Sequence, residues 1–482
     1  MAEPAFLGID IGTSSVKALL LQGERLVSAR SRPYVTEAPA GGQARQDPRR
    51  WLDAVREAVT AVLSAQPAAG VDAIGLCGQM HALVPATGDG APLGDALTWA
   101  DQRAEREAHA LETVLGAGYL RRVTGSPATP GYPAAKLMWM REHESERYQK
   151  ARWFLGAKDW VRFVLGGTVA TEPTDGSGTG LMDVSSAQWD PAIVQAVEVD
   201  PGKLPPILPS ARVAGGVSPA WARELGVKAG TPLAAGAGDL PAALAFLGPD
   251  PGTLLVNLGS AGQVTQVLDP RTPVDESVQV LAHPHPDRRI AMAALLAAGL
   301  ATGWIESLLA PGDGAVSAHD PVLFLPQLQG ERTPTFDATP RGALVGLGLS
   351  TTGADLRAAV RDGILLQVRE LSELMAGGRA PGRVLLAVEA AVGETWAERL
   401  ASALGTRVHR VGWSSPSAHG AALIAQIAVG ARGWSELDVA PLVPADPDPG
   451  AVPGFERRMR AYREVKAAVA RAAAILAGTG MP

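Results

Sequence analysis

The chain has 482 residues, of which 46% are hydrophobic and 19% charged, and its formal net charge is −6. This length exceeds what a single hydrophobic core supports, so two or three domains are expected, and the acidic balance argues against nucleic-acid binding. The single cysteine, Cys77, excludes an intramolecular disulfide, and the first residues lack a signal-peptide pattern, so we expect a cytoplasmic protein.

The chain opens with three strand candidates, which cover 6–11, 15–22 and 25–30. A helix is predicted over 49–65, because apolar residues recur there at helical spacing behind the pair Asp47-Pro48. A fourth strand is predicted over 73–77. The order β-β-β-α-β differs from the strict strand–helix alternation of a dinucleotide-binding unit.

The middle of the chain, 101–200, is predicted to be mostly helical, and a breaker run follows at 248–252. We therefore expect an N-terminal domain of 1–242 and a C-terminal domain of 243–482. The second half repeats the logic of the first, with strands over 253–267, a helix over 291–309, helices from 355 to 375, a strand over 383–388, a helix over 395–404 and a final helix over 454–477. The apolar window 290–309 is interrupted by two glycines and a glutamate, so no membrane span is predicted.

Two stretches share one pattern, an apolar strand, a turn of glycine and small residues, and a second apolar strand. They cover 7–19 and 253–265. Such turns expose backbone N–H groups that suit a phosphate, although ordinary glycine hairpins fit the same pattern. The pair predicts two similar domains that close on one nucleotide. The carboxylate of Asp10, at the tip of the first strand, is a candidate ligand of hydrated Mg²⁺.

Asp239 is the candidate catalytic residue. It follows a short strand predicted over 232–236 and precedes a helix. An ionised carboxylate at this point can accept the proton of a sugar hydroxyl while that oxygen attacks a terminal phosphoryl group. The alternative is that Asp239 only caps the helix.

Polar side chains also follow the fourth strand candidate and the next apolar run. Gln79 and His81 can hydrogen-bond hydroxyl groups and Met80 can supply apolar contact, because open α/β sheets bind ligands at the carboxyl ends of their strands. Trp99 offers a flat face to a sugar, and Asp101 offers a polar edge. The alternatives are a structural histidine and a tryptophan packed in a core. The histidines show no metal-ligand spacing, and the sequence contains no P-loop.

Together these residues resemble the FGGY family of carbohydrate kinases over about 6–428 of the chain. The similarity lies in the order of the matching segments, which are 8–17, 75–81, 97–103, 157–160, 174–179, 236–239 and 324–334. The pair Met80-His81 points to a ketopentose such as D-xylulose and away from glycerol.

The resemblance implies an α/β fold of the actin-like ATPase (ribonuclease H-like) type, with two similar domains around a central cleft. It implies a sugar site and a catalytic base in the N-terminal domain, ATP contacts mainly in the C-terminal domain, Mg²⁺ as cofactor and a homodimer. The γ-phosphate of ATP would pass to a ketopentose hydroxyl, with Asp239 deprotonating the C5 hydroxyl of D-xylulose. The implied substrate-binding residues are Gln79, Met80, His81, Trp99, Asp101 and Asp239. The implied nucleotide-binding residues are Gly12, Thr13, Ser14, Lys17, Gly259, Ser260, Ala261, Gly299, Gly303, Glu389 and Ala390, with Asp10 as the metal ligand.

The chain departs from the family pattern in the adenosine motif. Where the family has three glycines, this chain has Val388-Glu389-Ala390-Ala391-Val392-Gly393, which places side chains where backbone would approach the nucleotide. Three alternatives stay open. They are a sugar-binding or regulatory homologue with weak or no kinase activity, a kinase for another sugar or polyol such as ribulose or glycerol, and an actin-like ATPase with a protein partner. The intact Asp10, Gly12-Thr13 and Asp239 favour catalysis.

We predict that Glu389→Gly tightens ATP binding more than it changes sugar binding, because it removes a negative charge near a polyanion. Calorimetric titration of the variant with each ligand measures the two changes. An equal effect on both ligands would place Glu389 away from the nucleotide.

Overall fold

The structure is a computed structural model that describes residues 3–65, 70–166, 168–309, 322–375, 379–388, 396–412, 415–434 and 442–476. The strands in these ranges are β1 (Ala5–Ile11), β2 (Ser15–Gln22), β3 (Arg25–Pro33), β4 (Arg45–Gln46), β5 (Ala73–Gly78), β6 (Val84–Ala86), β7 (Ala96–Leu97), β8 (Trp153–Leu155), β9 (Met182–Asp183), β10 (Gln188–Trp189), β11 (Val213–Gly216), β12 (Pro232–Ala234), β13 (Ala237–Gly238), β14 (Thr253–Leu258), β15 (Gly262–Leu268), β16 (Gln279–Ala282), β17 (Arg289–Leu295), β18 (Leu323–Leu325), β19 (Ala343–Val345), β20 (Arg383–Val388), β21 (Val408–Arg410) and β22 (Val443–Ala445).

The helices are α1 (Pro48–Leu63), α2 (Glu105–Leu115), α3 (Ala117–Thr124), α4 (Pro133–His143), α5 (Ser145–Lys150), α6 (Ala157–Gly166), α7 (Pro173–Ser177), α8 (Pro191–Val197), α9 (Pro219–Leu225), α10 (Asp239–Leu247), α11 (Gly299–Leu308), α12 (Gly353–Met375), α13 (Trp396–Leu404), α14 (Pro416–Ala428) and α15 (Val452–Leu476), with a 3₁₀ turn at Pro201–Lys203. No helix in the described ranges is both long and apolar enough to cross a bilayer. The expected cytoplasmic location stays a prediction.

The chain divides into two compact units. The first unit comprises Met1–Pro249, Val280–Ile290 and Trp413–Ala440, and the second comprises Asp250–Gln279, Ala291–Gly412 and Pro441–Pro482. The first unit therefore contains α14, which comes from the part of the sequence assigned to the C-terminal domain. The functional division into 1–242 and 243–482 stays a prediction.

The sheet of the first unit has the strand order β11-β12-β5-β1-β2-β3, and β13 also pairs with β5. Strand β1 is antiparallel to β2 and parallel to β5, with Gly8 opposite both Leu19 and Gly75. Strand β1 is buried along its whole length. Helix α1 begins after its cap Asp47 and presents a buried apolar stripe that includes Trp51, as its helical spacing predicted.

A second seven-stranded sheet has the order β16-β17-β15-β14-β20-β21-β22. It repeats the plan of the first sheet, because β14 is antiparallel to β15 and parallel to the later strand β20. Both predicted strand–turn–strand patterns and the predicted strand over 383–388 are confirmed.

The prediction of one helix over 291–309 is wrong in its first part. Residues Arg289–Leu295 form strand β17, and the helix α11 begins only at Gly299. Small and apolar residues at 290–295 suit a buried strand as well as a buried helix, and the neighbouring strand β15 decides between them.

Helix α14 packs on the sheet of the first unit through glycine. Gly8 of β1 lies under the carbonyl of Ala418, and Gly75 of β5 lies under the carbonyl of Ala421, so that a Cβ atom at either glycine would overlap the oxygen. Gly420 of α14 approaches the carbonyl of Ala242 in the same way. Residues from the late part of the chain are thereby fixed against β1, β5 and α10.

We predict that Gly420→Ala lowers the free energy of unfolding by about 1–3 kcal/mol, because the new methyl group overlaps the Ala242 carbonyl. Denaturant unfolding measures the change. Gly454→Ala in α15 is the matched control, since a Cβ there meets open space and alanine favours a helix by up to about 1 kcal/mol. Equal effects of the two substitutions would contradict the close approach of α14.

Candidate functional site in the first unit

The first glycine turn joins β1 to β2. Its fold is set by a hydrogen bond from the Gly12 N–H to the carbonyl of Ser15, at 3.1 Å. Side chains hold its carbonyls, since Tyr34 donates to Gly12 and Gln46 donates to Thr13 at 2.7 Å. In the described residues no hydrogen bond is donated by the N–H groups of Thr13 and Ser14. This turn therefore offers two backbone donors to an anion.

Asp10, the penultimate residue of β1, is a buried carboxylate with one oxygen in a hydrogen bond. Its Oδ2 accepts a hydrogen bond of 2.7 Å from the hydroxyl of Ser417 on α14. Its Oδ1 is buried and has no partner among the described residues. Burial raises the pKa of Asp10, while Ser417 and the ammonium of Lys17, its partner across the β1–β2 ladder, lower it.

Asp239 is the first residue of α10 and is partly exposed. Its Oδ1 accepts a hydrogen bond of 2.8 Å from the N–H of Leu240. The N-cap residue is Gly238, and the Leu240 N–H that donates to Asp239 belongs to the first helical turn, so the capping alternative stays open. Burial raises the pKa of Asp239 to about 7, and the nearby charge of Asp10 adds to the shift.

The segment after β5 contacts the first glycine turn and the backbone before Asp239. Gln79 is buried and donates to Gln46 at 2.8 Å and to the carbonyl of Gly12 at 3.4 Å, which ties it to the first turn. Met80 packs on the backbone before the candidate base, since a Cβ on Gly238 would lie 2.6 Å from Met80 Cγ.

His81 has a left-handed backbone, with φ at 66°. Its ring stacks on Tyr132 with centroids 4.3 Å apart, and its Nδ1 lies 2.6 Å from the carbonyl of Gly178. A non-glycine residue in this conformation persists only where its surroundings hold it. The histidine is thus fixed in place, and its ring is partly exposed.

Trp99 and Asp101, both predicted to bind the sugar, differ in exposure. Trp99 is 48% exposed, and its indole N–H donates to the hydroxyl of Thr13 at 3.0 Å, so it does not pack in a core. Asp101 is fully buried, accepts from the N–H of Ala44 at 2.9 Å and pairs with Arg103 through two contacts of 2.8 Å. A direct contact of Asp101 with a sugar would require it to leave these partners, so its predicted role stays a prediction.

Sequence reasoning missed the charged side chains that hold the segment before Asp239. Arg162 donates to the carbonyl of Ala235 at 2.7 Å, and the Gly238 N–H donates to the hydroxyl of Thr174 at 2.7 Å. Lys158 is fully buried and pairs with Asp159, Glu172 and Asp175. The available signal was the pair of cations in an otherwise buried helix, since α6 places both Lys158 and Arg162 inside the unit.

The second glycine turn lies in the second unit, between β14 and β15. The carbonyl of Gly259 accepts the N–H of Gly299, and the carbonyl of Ser260 accepts the N–H of Leu300, so the turn meets the start of α11. The N–H groups of Ser260 and Ala261 donate no hydrogen bond within the described ranges.

The nucleotide-binding roles of Gly303, Lys17, Glu389 and Ala390 stay predictions. Gly303 lies one turn after Gly299 on α11 and has open space beside it. Lys17 lies opposite Asp10 on β2. Glu389 and Ala390 lie outside the described residues.

Comparisons with known proteins identify the class. The N-terminal domain model of the FGGY family of carbohydrate kinases matches residues 5–246, and the C-terminal domain model matches 267–429. The xylulose kinase of Escherichia coli K12 is 29% identical over 479 residues, covering 95% of this chain and 98% of that protein. The xylulose kinase of Streptomyces rubiginosus is 34% identical over 378 residues, covering 77% of this chain and 76% of that protein. The crystal structure of a xylulose kinase from Rhodospirillum rubrum matches with a TM-score of 0.88 and 26% identity, over 96% of this chain and 99% of that chain.

The two sheets share one strand plan, and each contains a turn with free backbone donors. With these structural neighbours, they confirm the predicted actin-like ATPase (ribonuclease H-like) fold. The chain belongs to the FGGY family of carbohydrate kinases and is an ATP-dependent sugar kinase.

We predict that Asp239→Asn stabilises the free protein at pH 8 by about 1–3 kcal/mol. The pKa of Asp239 is raised to about 7, so the folded state binds more protons than the unfolded state between pH 4 and 7 and loses stability as the pH rises through that window. Denaturant unfolding in the presence of a chelator, at pH 4.5 and pH 8, measures the difference. Asp53→Asn, on the exposed face of α1, is the control. A gain that is equal at both pH values would show that the carboxyl does not titrate in this way.

Proposed function

We propose that this kinase transfers the γ-phosphate of ATP to D-xylulose and forms D-xylulose 5-phosphate. The observation that carries the proposal is Asp239, a partly exposed carboxylate with a pKa raised to about 7, beside the backbone that contacts Met80. The relatives named xylulose kinase, which cover up to 95% of the chain, support the choice of sugar.

Asp239 acts as the general base in this proposal. The raised pKa of Asp239 makes its carboxylate a stronger base than an ordinary aspartate. The Asp239 carboxylate accepts the proton of the C5 hydroxyl while the C5 oxygen attacks the γ-phosphorus. The bond between the γ-phosphorus and the bridging oxygen breaks at the same time, and ADP leaves. The hydrogen bond from the Leu240 N–H keeps the carboxylate oriented.

Met80, His81 and Trp99 bind the sugar in this proposal. His81 presents a partly exposed ring of fixed orientation, and Trp99 presents an exposed indole face whose N–H is already held by Thr13. A fixed ring nitrogen and a flat aromatic face can distinguish a hydroxyl from a C–H group. The N-terminal domain of 1–242 would thus bind the sugar and the C-terminal domain of 243–482 the nucleotide.

The two glycine turns bind phosphate oxygens. Thr13 and Ser14 in one turn, and Ser260 and Ala261 in the other, each supply backbone N–H groups that are free within the described residues. Such donors stabilise charge on phosphate oxygens without the side-chain motion that a lysine would require.

The site fits Mg²⁺ at Asp10. Asp10 Oδ1 is a buried carboxylate oxygen without a hydrogen-bond partner in the described part of the chain. Carboxylate oxygens are hard ligands, and Mg²⁺ in phosphoryl-transfer sites is held by one or two carboxylates together with water and phosphate. Asp10 Oδ1 would hold the ion, while Ser417 keeps Oδ2 in place. The bound ion would neutralise charge on the phosphates.

We predict that Asp239→Asn abolishes D-xylulose-dependent formation of ADP, with a loss of at least about a thousandfold, because no other base replaces the carboxylate. Coupled measurement of ADP release at millimolar ATP, with D-xylulose, D-ribulose and glycerol as acceptors, measures activity and specificity. Asp53→Asn is the control. If the wild-type protein binds D-xylulose but transfers no phosphoryl group, the sugar-binding alternative is supported. If it turns over another acceptor faster than D-xylulose, that acceptor replaces D-xylulose as the proposed substrate.

A further inference from the structure

Lys136 is a buried lysine whose ammonium contacts only backbone carbonyls among the described residues. It lies on α4 with no exposed surface. Its Nζ donates to the carbonyl of Thr98 at 2.6 Å and to that of His81 at 2.8 Å, and it lies 3.5 Å from the carbonyl of Leu97. A lysine ammonium has three N–H donors, so these three carbonyls occupy all of them.

Each of these carbonyls belongs to a segment that we place at the sugar. Thr98 immediately precedes Trp99, whose indole donates to Thr13 in the first glycine turn. His81 itself carries the left-handed backbone, and its carbonyl bond to Lys136 is one of the contacts that hold this conformation. One ammonium group therefore joins the backbones of the two segments that present His81 and Trp99.

A buried lysine at this position is costly. Taking an ammonium out of water is unfavourable, and the hydrogen bonds to the three carbonyls oppose that cost. Burial lowers the pKa of Lys136, while the charge of Asp101 opposes the decrease and that of Arg103 adds to it. A residue that the fold holds at such a cost is typical of a functional constraint.

We propose that Lys136 is a positioning residue of the sugar site, which fixes His81 and Trp99 relative to each other by binding the backbone of both segments. The inference rests on the proposed function, since it concerns the same sugar. Lys136 does not touch the reacting atoms in this scheme. It acts through the two side chains that do contact the sugar.

The test is Lys136→Met, which keeps the volume of the side chain and removes its donors. We expect the KM for D-xylulose to rise at least about tenfold, because two contact groups lose their fixed spacing, while the KM for ATP stays within about twofold. A residue needed only for folding would show a lower thermal midpoint and an unchanged KM for the sugar.

The matched control is Lys203→Met. Lys203 also donates to backbone carbonyls, those of Tyr148 and Gln149 at 3.0 and 3.1 Å, but these lie away from His81 and Trp99 in the sequence and bond to neither. Its KM for D-xylulose is expected to match that of the unmodified enzyme. An equal rise of KM in both variants would overturn the inference.

Lys136→Arg keeps the charge and is measured in parallel, so that a folding defect in Lys136→Met leaves a second readout. We expect the KM of Lys136→Arg for D-xylulose to lie between those of the unmodified enzyme and Lys136→Met. If Lys136→Met does not fold, we expect the KM of Lys136→Arg to be about threefold above that of the unmodified enzyme. A sugar KM that is unchanged in each folded Lys136 variant overturns the inference alone. Absence of transfer to D-xylulose by the unmodified enzyme would instead overturn the proposed function.

Discussion

The close approach of α14 to its sheet is the constraint on which the first unit depends. Gly8 and Gly75 have no side chains, so α14 can lie directly against β1 and β5. The absence of a side chain at Gly420 lets α14 approach α10 in the same way. These contacts align three elements of the candidate site, because Asp10 is the penultimate residue of β1, β5 ends before Gln79, and α10 begins at Asp239. At this distance Ser417 reaches the carboxylate of Asp10.

The candidate site contains buried carboxylates, and ionising them in the protein interior is unfavourable. Asp10 and Asp239 are two carboxylates whose pKa values are both raised by burial, and the charge of Asp10 raises the pKa of Asp239 further. Behind them, Lys158 and Arg162 compensate three more buried carboxylates and hold the backbone that leads to α10. Such an arrangement is less stable than an apolar one and is typical of a site selected for chemistry.

Local pattern predicted much of this structure. The two strand–turn–strand motifs, the amphipathic α1 and the start of a helix at Asp239 are written in short stretches of sequence. The strand β17 was not predictable in this way, because residues 290–295 satisfy a strand and a helix equally until a neighbouring strand offers its hydrogen bonds. The same limit applies to Lys136 and Ser417, whose partners are tens or hundreds of residues away. The exposure of Trp99 was not predictable either, since tryptophan as a residue type favours burial.

The late position of α14 in the sequence has a consequence for the nascent chain. The ribosome synthesises residues 1–249, and then most of the second unit, before Pro416–Ala428 emerges. Until then the surface formed by Phe6, Leu19, Leu21 and Ala73 lacks the alanines that cover it in the finished protein. The first unit therefore cannot complete its folding before residues 416–428 are synthesised, which follows the synthesis of most of the second unit.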